Sequence, residues 1–110
     1  MDLSAKHCVP CKGGTTPLSD SEEDRYIKEV PSWILIRDGA HRIKREFIFK
    51  GFRGAMGFVN KVAEIAEAEG HHPDIYIFYN KVQLELFTHA ANGLLENDFI
   101  VAAKIDRIGI

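Results

Sequence analysis

The sequence predicts an α+β fold in which a four-stranded antiparallel sheet carries three helices on one face, in the order α-β-β-α-β-β-α. The chain contains two pairs of short apolar segments, and in each pair turn residues separate the two members. Three other segments have apolar residues at spacings of three and four. Because short turns rather than helical crossovers join each pair of strands, the sheet is expected to be antiparallel, with the helices gathered on a single face. At 110 residues the chain is long enough to bury its own core.

The chain is predicted to begin with an irregular segment, residues 1–18, which precedes a single domain over residues 19–110. A first helix is expected over Ser19–Glu29, because its first residue and Glu22 have the spacing of a capping box. Pro31 follows the helix and ends it, since the residue before a proline disfavours the helical conformation.

Two strands, Trp33–Ile36 and His41–Lys50, are predicted to form a first hairpin. Asp38-Gly39 lies between them and is a strong signal for a tight turn. Alternation with a period of two places one set of apolar side chains of the second strand on the same side: Ile43, Phe47 and Phe49. Trp33 is interpreted as a core residue rather than a ligand contact.

A longer helix is predicted over Phe52–Glu69, and Gly70 is well placed to end it in the left-handed conformation. The chain therefore passes from a sharp helix end directly into His71-His72-Pro73. The apolar stripe of this helix consists of residues spaced three and four apart: Phe52, Ala55, Met56, Val59, Val62, Ala63 and Ala66.

A second hairpin is predicted from the strands Ile75–Tyr79 and Val82–Thr88, which turn around Asn80-Lys81. A loop centred on Asn92-Gly93 then leads to a last helix over Asn97–Arg107. Four residues of that helix are expected to pack inward: Phe99, Ala102, Ala103 and Ile105.

The composition argues against several functional classes. The formal net charge is −2, from 14 basic and 16 acidic side chains spread along the chain, so no basic patch indicates binding to nucleic acid or to an anionic membrane. The apolar runs are too short to span a bilayer, and no signal peptide is recognised. Two cysteines do not make a secreted disulfide framework. We therefore expect a cytoplasmic protein.

Three histidines, His71, His72 and His89, are the strongest candidates for chemistry. Folding the second hairpin brings the start of one strand beside the end of its partner, so that these side chains can meet. Imidazole titrates near neutral pH and can donate or accept a proton, which suits acid–base catalysis. Two other readings remain open at this point: an exposed turn with an ordinary strand-end histidine, or a metal site, since three histidines can hold zinc.

Two further features are interpreted without a function. Cys8 and Cys11 could form a disulfide, half of a metal site or two thiols, and together with His7 they still lack the fourth ligand of a closed zinc site. We favour a solvated N-terminal segment. The charged run Glu22–Arg25 is interpreted as a solvated helix face.

The sequence resembles the pterin-4a-carbinolamine dehydratase family, and the resemblance covers nearly everything after residue 18. It extends upstream through Pro31-Ser32-Trp33 and Phe47–Phe58, and the spacings between its motifs also match. The motifs that carry it are Glu69-Gly70-His71-His72-Pro73, Tyr79-Asn80-Lys81-Val82, Thr88-His89, Gly93-Leu94 and Asp98.

This resemblance implies the dehydration of a 4a-hydroxytetrahydropterin to a quinonoid dihydropterin in the recycling of tetrahydrobiopterin, with no cofactor and no metal. It implies that His71 and His89 move protons and that His72 binds substrate or acts as a second acid–base group. Asp98 has a supporting place at the site, and Tyr76, Phe78 and Phe87 are candidates for the wall against the pterin. The resemblance further implies a homodimer or homotetramer, and a secondary protein partner, because animal members assist a homeodomain transcription factor.

Overall fold

The computed structural model describes residues 2–10 and 13–109, and its helices and strands follow the predicted order, which confirms the α+β fold class. A 3-10 turn, Leu3–Ala5, precedes the first helix, and another, His89–Ala91, precedes the last. The elements are α1 Asp20–Ile27, β1 Ile34–Ile36, β2 Arg42–Ile48, α2 Phe52–Glu69, β3 Asp74–Phe78, β4 Lys81–Leu86 and α3 Glu96–Asp106.

The four strands form one antiparallel sheet in the order β1-β2-β4-β3, so that β1 and β3 are its edges. Register places Ile43 opposite Leu86 and Phe47 opposite Val82 on the central pair. On the two central strands the apolar side chains that alternate toward the helices are buried, and Arg45 on the same face pairs with Asp106 of α3. The side chains on the opposite, outer face of these strands are partly or fully exposed. The buried set on the central strands is Ile43, Phe47, Val82, Leu84 and Leu86.

Helix α1 begins with the predicted capping box, because Ser19 Oγ accepts the Glu22 backbone N–H and the Glu22 carboxylate accepts the Ser19 N–H. The expectation that the whole charged run is a solvated face is wrong at Glu23, whose side chain is fully buried. Glu23 accepts hydrogen bonds from Arg37 Nε at 3.0 Å and His41 Nδ1 at 2.8 Å. The Arg37 charge and the His41 ring, both contributed by the first hairpin, compensate the burial of this carboxylate. Local sequence cannot reveal these partners.

Helix α2 ends at Gly70, which adopts the predicted left-handed conformation with φ 64° and ψ 29°. The Ala66 carbonyl accepts the N–H of Gly70 and, at 3.1 Å, the N–H of His71. A residue with a Cβ would be disfavoured by about 1–2 kcal/mol in this conformation. The glycine therefore turns the chain sharply, so that His71 folds back beside the end of α2.

Helix α3 is the most deeply buried helix of the described structure, and the four side chains predicted to pack inward are all buried. The core also contains Trp33, as expected, and its indole N–H donates to Asp106 at 2.8 Å. The other buried residues of α3 include Ile100 and Val101, so apolar contacts surround the helix almost completely.

All four strand boundaries of the second hairpin differ from the prediction by one or two residues, since β3 spans Asp74–Phe78 and β4 spans Lys81–Leu86. The turn is formed by Tyr79 and Asn80, with Tyr79 at φ 54°, one residue earlier than expected. Strand β4 ends at Leu86 instead of Thr88, because Thr88 pairs with Gly93 across a tight loop. His89 therefore begins a 3-10 turn and is not the end of a strand.

The N-terminal segment is docked on the domain, in contrast to the solvated segment that was expected. Leu3 is buried in the main core, and the carbonyl of Ser4 accepts a hydrogen bond from Lys104. The division at residue 18 stays a prediction, and the predicted alternatives for the Cys8–Cys11 pair lie partly outside the described residues because Cys11 is not among them. Of the helices in the described ranges, none combines the length and the apolar character needed to cross a membrane.

Candidate active site

A cleft of about 420 Å³ opens where the end of α2 meets the sheet, and His71, His72 and His89 all line it. The structure thus brings together the three histidines that the sequence singled out. The remaining lining residues come from the same two short segments: Gly70, Pro73, Asp74, Phe87, Thr88 and Ala90.

Antiparallel pairing explains why these two segments meet. Asp74 at the start of β3 lies opposite Glu85 near the end of β4, so the residues before β3 and those after β4 are neighbours in space. The left-handed end of α2 supplies His71 and His72 immediately before β3. The cleft therefore results from two features, the end of α2 at Gly70 and the register in which β3 pairs with β4.

His71 is held by a buried carboxylate. Its Nε2 lies 2.6 Å from Asp98 Oδ1, and Asp98 is fully buried. The other Asp98 oxygen accepts the Thr88 hydroxyl at 2.8 Å and the Leu95 backbone N–H at 2.9 Å. An ionised carboxylate only accepts hydrogen bonds, so this arrangement suits a proton on His71 Nε2 and leaves Nδ1 as the basic nitrogen.

The other two histidines are more exposed and have different partners. His72 Nε2 lies 2.6 Å from Glu67 Oε2, and both side chains are largely in solvent, so the pair contributes little to stability. The His89 ring packs against Phe87 with a centroid separation of 4.2 Å and an interplanar angle of 48°. These contacts leave both rings accessible from the cleft.

Only one of the predicted substrate-binding residues lines the cleft. Phe87 lines the cleft, but Asp98 lies behind His71 and contacts it directly. Tyr76 is not a lining residue and lies on the outer face of β3, where the negative charge of Glu85 raises the pKa of its hydroxyl. The structure adds Thr88, a lining residue whose hydroxyl orients Asp98. The sequence signal that could have identified Thr88 as a site residue is its place directly before His89 in the family motif.

The side chains with ligand atoms close enough to share a metal ion lie in a different part of the described structure, where α1 meets the first hairpin. Within residues 2–10 and 13–109, the trio with ligand atoms close enough to share an ion is Asp20, Glu23 and His41, and the three cleft histidines form no such group. Arg37 already pairs with the Glu23 carboxylate. The trio therefore forms an ion-pair network that anchors the first hairpin to α1.

The fold and the cleft together define a small α+β protein with a histidine site between a helix end and a sheet edge. Residues 16–108 match the family model described as Pterin 4 alpha carbinolamine dehydratase. The chain belongs to this family.

Curated relatives agree with that assignment. A protein of Rubrobacter xylanophilus named as a pterin-4-alpha-carbinolamine dehydratase is 44% identical over 107 residues, which cover 97% of this chain and 98% of the relative. One of Methylococcus capsulatus with the same name is 49% identical over 106 residues, covering 96% and 92% of the two chains.

A solved structure is similar over most of the chain. The crystal structure of a transcriptional coactivator/pterin dehydratase from Brucella melitensis superposes with a TM-score of 0.77 at 34% identity. The match covers 83% of this chain and 96% of the Brucella chain. The similarity in sequence and the similarity in fold therefore indicate the same family.

Proposed function

We propose that this protein, a hydro-lyase of the pterin-4a-carbinolamine dehydratase family, uses His71, His72 and His89 to convert a 4a-hydroxytetrahydropterin into a quinonoid dihydropterin and water. The observation that carries this proposal is the single cleft that the three imidazoles share, with one of them held by a buried carboxylate. The biological setting is the recycling of tetrahydrobiopterin. The cytoplasmic location expected from the sequence stays a prediction.

The reaction requires one proton to leave and one proton to arrive. The ring nitrogen next to C4a loses its proton to Nδ1 of His71, and the electron pair forms a carbon–nitrogen double bond. The bond between C4a and its hydroxyl oxygen breaks, and His89 protonates the leaving group so that it departs as water. Solvent then returns the proton from His71 to His89. No electron is lost or gained, so the step needs no redox cofactor.

The same cleft offers surfaces for a flat, polar ring. Phe87 supplies an aromatic wall beside His89, and the backbone at the start of β3 supplies polar groups. His72 lies in the same lining and binds the polar edge of the pterin. Tyr76, the next outer-face residue of β3 after Asp74, contacts whatever part of the substrate extends beyond the cleft.

Separate replacement of His89 and His72 by alanine tests these roles. His89→Ala is expected to lower kcat about 10²-fold, because it removes a general acid. His72→Ala is expected to raise KM and to leave kcat within a few-fold of wild type, because it removes a binding contact. Stopped-flow measurement of 4a-hydroxytetrahydropterin breakdown, corrected for the uncatalysed rate, gives both constants.

A third histidine variant provides the control. His41→Gln leaves the cleft untouched and keeps a donor for the buried Glu23 carboxylate, so wild-type constants are expected. Because His72 and His89 are both exposed, their variants should unfold at the wild-type urea concentration. Wild-type constants in both alanine variants would contradict the proposal.

We also infer that the protein forms a homodimer or homotetramer through the edge strand β3. Four consecutive exposed apolar side chains, Tyr76–Tyr79, follow this edge, whereas the opposite edge strand β1 has only three residues. Long apolar edges are normally covered, and a second copy of the same strand can extend the sheet. The secondary protein partner implied by the sequence resemblance stays a prediction, supported by the description of the Brucella protein as a transcriptional coactivator.

Sedimentation velocity tests whether the protein associates through the edge strand β3. Phe78→Lys is expected to shift the protein to monomers, because it places a charge among the exposed apolar side chains of β3. Ile34→Lys, an equally drastic change at an exposed position of β1, should leave the oligomer intact. The assignment to β3 fails if the first variant sediments like wild type or if the second one dissociates.

A further inference from the structure

The N-terminal segment contacts the two residues that immediately precede parts of the active site. Glu69 is the last residue of α2 and lies two positions before His71, and Asn97 lies one position before Asp98. Both side chains are turned toward residues His7–Val9, which we call the strap. The strap lies outside the range that the family model matches.

At the end of α2, the strap is held by a nearly buried carboxylate. The Cys8 backbone N–H donates to Glu69 Oε1 at 2.7 Å, and His7 Nδ1 lies 2.9 Å from Glu69 Oε2. Lys104 of α3 lies 3.6 Å from the same carboxylate. Burial would raise the pKa of Glu69, but the Cys8 N–H, His7 and Lys104 together lower it below its ordinary value. Glu69 is therefore ionised at neutral pH and links the strap to both helices.

At the start of α3, the strap pairs with a buried amide. The Val9 N–H donates to Asn97 Oδ1 at 3.1 Å, and Asn97 Nδ2 donates to the Val9 carbonyl at 2.7 Å. This reciprocal pair fixes both the position and the orientation of the Asn97 side chain. The contacts then form a closed ring, because His71 and Asp98 are themselves joined at 2.6 Å.

We propose that the strap positions the His71–Asp98 pair by holding the end of α2 and the start of α3 at a fixed separation, with Glu69 and Asn97 as positioning residues. This inference rests on the proposed role of His71 as the proton acceptor. Neither Glu69 nor Asn97 lines the cleft, so both act through the residues that follow them. Displacement of a reacting group by about 1 Å can cost up to ~10²-fold in rate, even when the change is remote from the chemistry.

The test combines kinetics with a spectroscopic signal of the pair itself. Glu69→Ala and Asn97→Ala are each expected to lower kcat by up to ~10²-fold with little change in KM. In proton NMR spectra, the downfield signal of the His71 Nε2 proton, which is assigned from its loss in His71→Ala, should broaden or shift in both variants. Glu69→Gln keeps an acceptor for the Cys8 N–H and should behave more like wild type than Glu69→Ala.

Ser4→Ala is the matched control, because Ser4 belongs to the same terminal segment but its hydroxyl bonds to Asp2 and Arg107 rather than to Glu69 or Asn97. Urea unfolding identifies any variant that is not folded. Glu69→Ala and Asn97→Ala each remove one of the two strap contacts, so the contacts are tested independently of each other. An unchanged Nε2 proton signal in the folded variants would overturn the proposal that the strap positions the His71–Asp98 pair. A changed signal with wild-type kcat would support the strap and contradict the catalytic role of His71.

Discussion

Replacing His71 by alanine is expected to lower kcat by ~10²–10⁴-fold, the range typical of a positioned acid–base group. Nε2 of His71 is engaged by the buried Asp98 carboxylate, so the variant loses the ring that we propose as the proton acceptor. The Asp98 carboxylate keeps two of its three donors in the variant, Thr88 and Leu95, and the protein should stay folded. Stopped-flow kinetics and circular dichroism measure the two effects.

Chemical rescue of the same variant separates catalysis from structure. Added imidazole should restore part of the rate of His71→Ala, because a free base can then take the substrate proton in place of the missing ring. A variant that keeps the wild-type rate without added imidazole would show that another group is the base.

Replacing Asp98 by asparagine is expected to lower kcat ~10²-fold or more, although the residue does not line the cleft. The amide oxygen should face Thr88 and Leu95, because an NH₂ group there would leave the donors of a helix start without an acceptor. The NH₂ group then faces His71 Nε2, which must accept a hydrogen bond instead of donating one. The proton moves to Nδ1, which can then no longer accept a proton from the substrate.

Nitrogen chemical shifts of the His71 ring report this change of tautomer directly. The free energy of unfolding should fall by about 1–3 kcal/mol, since a charge-assisted network becomes neutral in a buried position. Glu46→Gln is the control: it neutralises an exposed carboxylate on β2 and should alter neither kcat nor the His71 shifts. Retention of the wild-type tautomer together with wild-type kcat would disprove the role given to Asp98.

Local sequence predicts much of this fold for identifiable reasons. The capping box at Ser19, the stripe of α2 and the left-handed Gly70 are each set by interactions among residues close in sequence. Hairpin order follows from turn residues and alternation. The meeting of His71, His72 and His89 follows in turn, because a helix stop and a hairpin of known register place them at one end of the sheet.

Other features depend on partners remote in the chain. Glu23 belongs to a charged run and is buried because Arg37 and His41 reach it from another element. Strand β4 ends early because Thr88 bonds to Gly93, which releases His89 into a turn.

The sequence by itself determined the α+β order of the elements, the family, and which three histidines meet in the cleft, because these are expressed in local spacing and in motifs. Only the tertiary structure decided that Asp98 lies behind His71, that Tyr76 lies outside the cleft and that the N-terminal segment docks beside the site. The reason is physical: burial and hydrogen bonding are shared between residues far apart in the chain. No pattern confined to one segment can specify which of its polar groups will find a partner elsewhere.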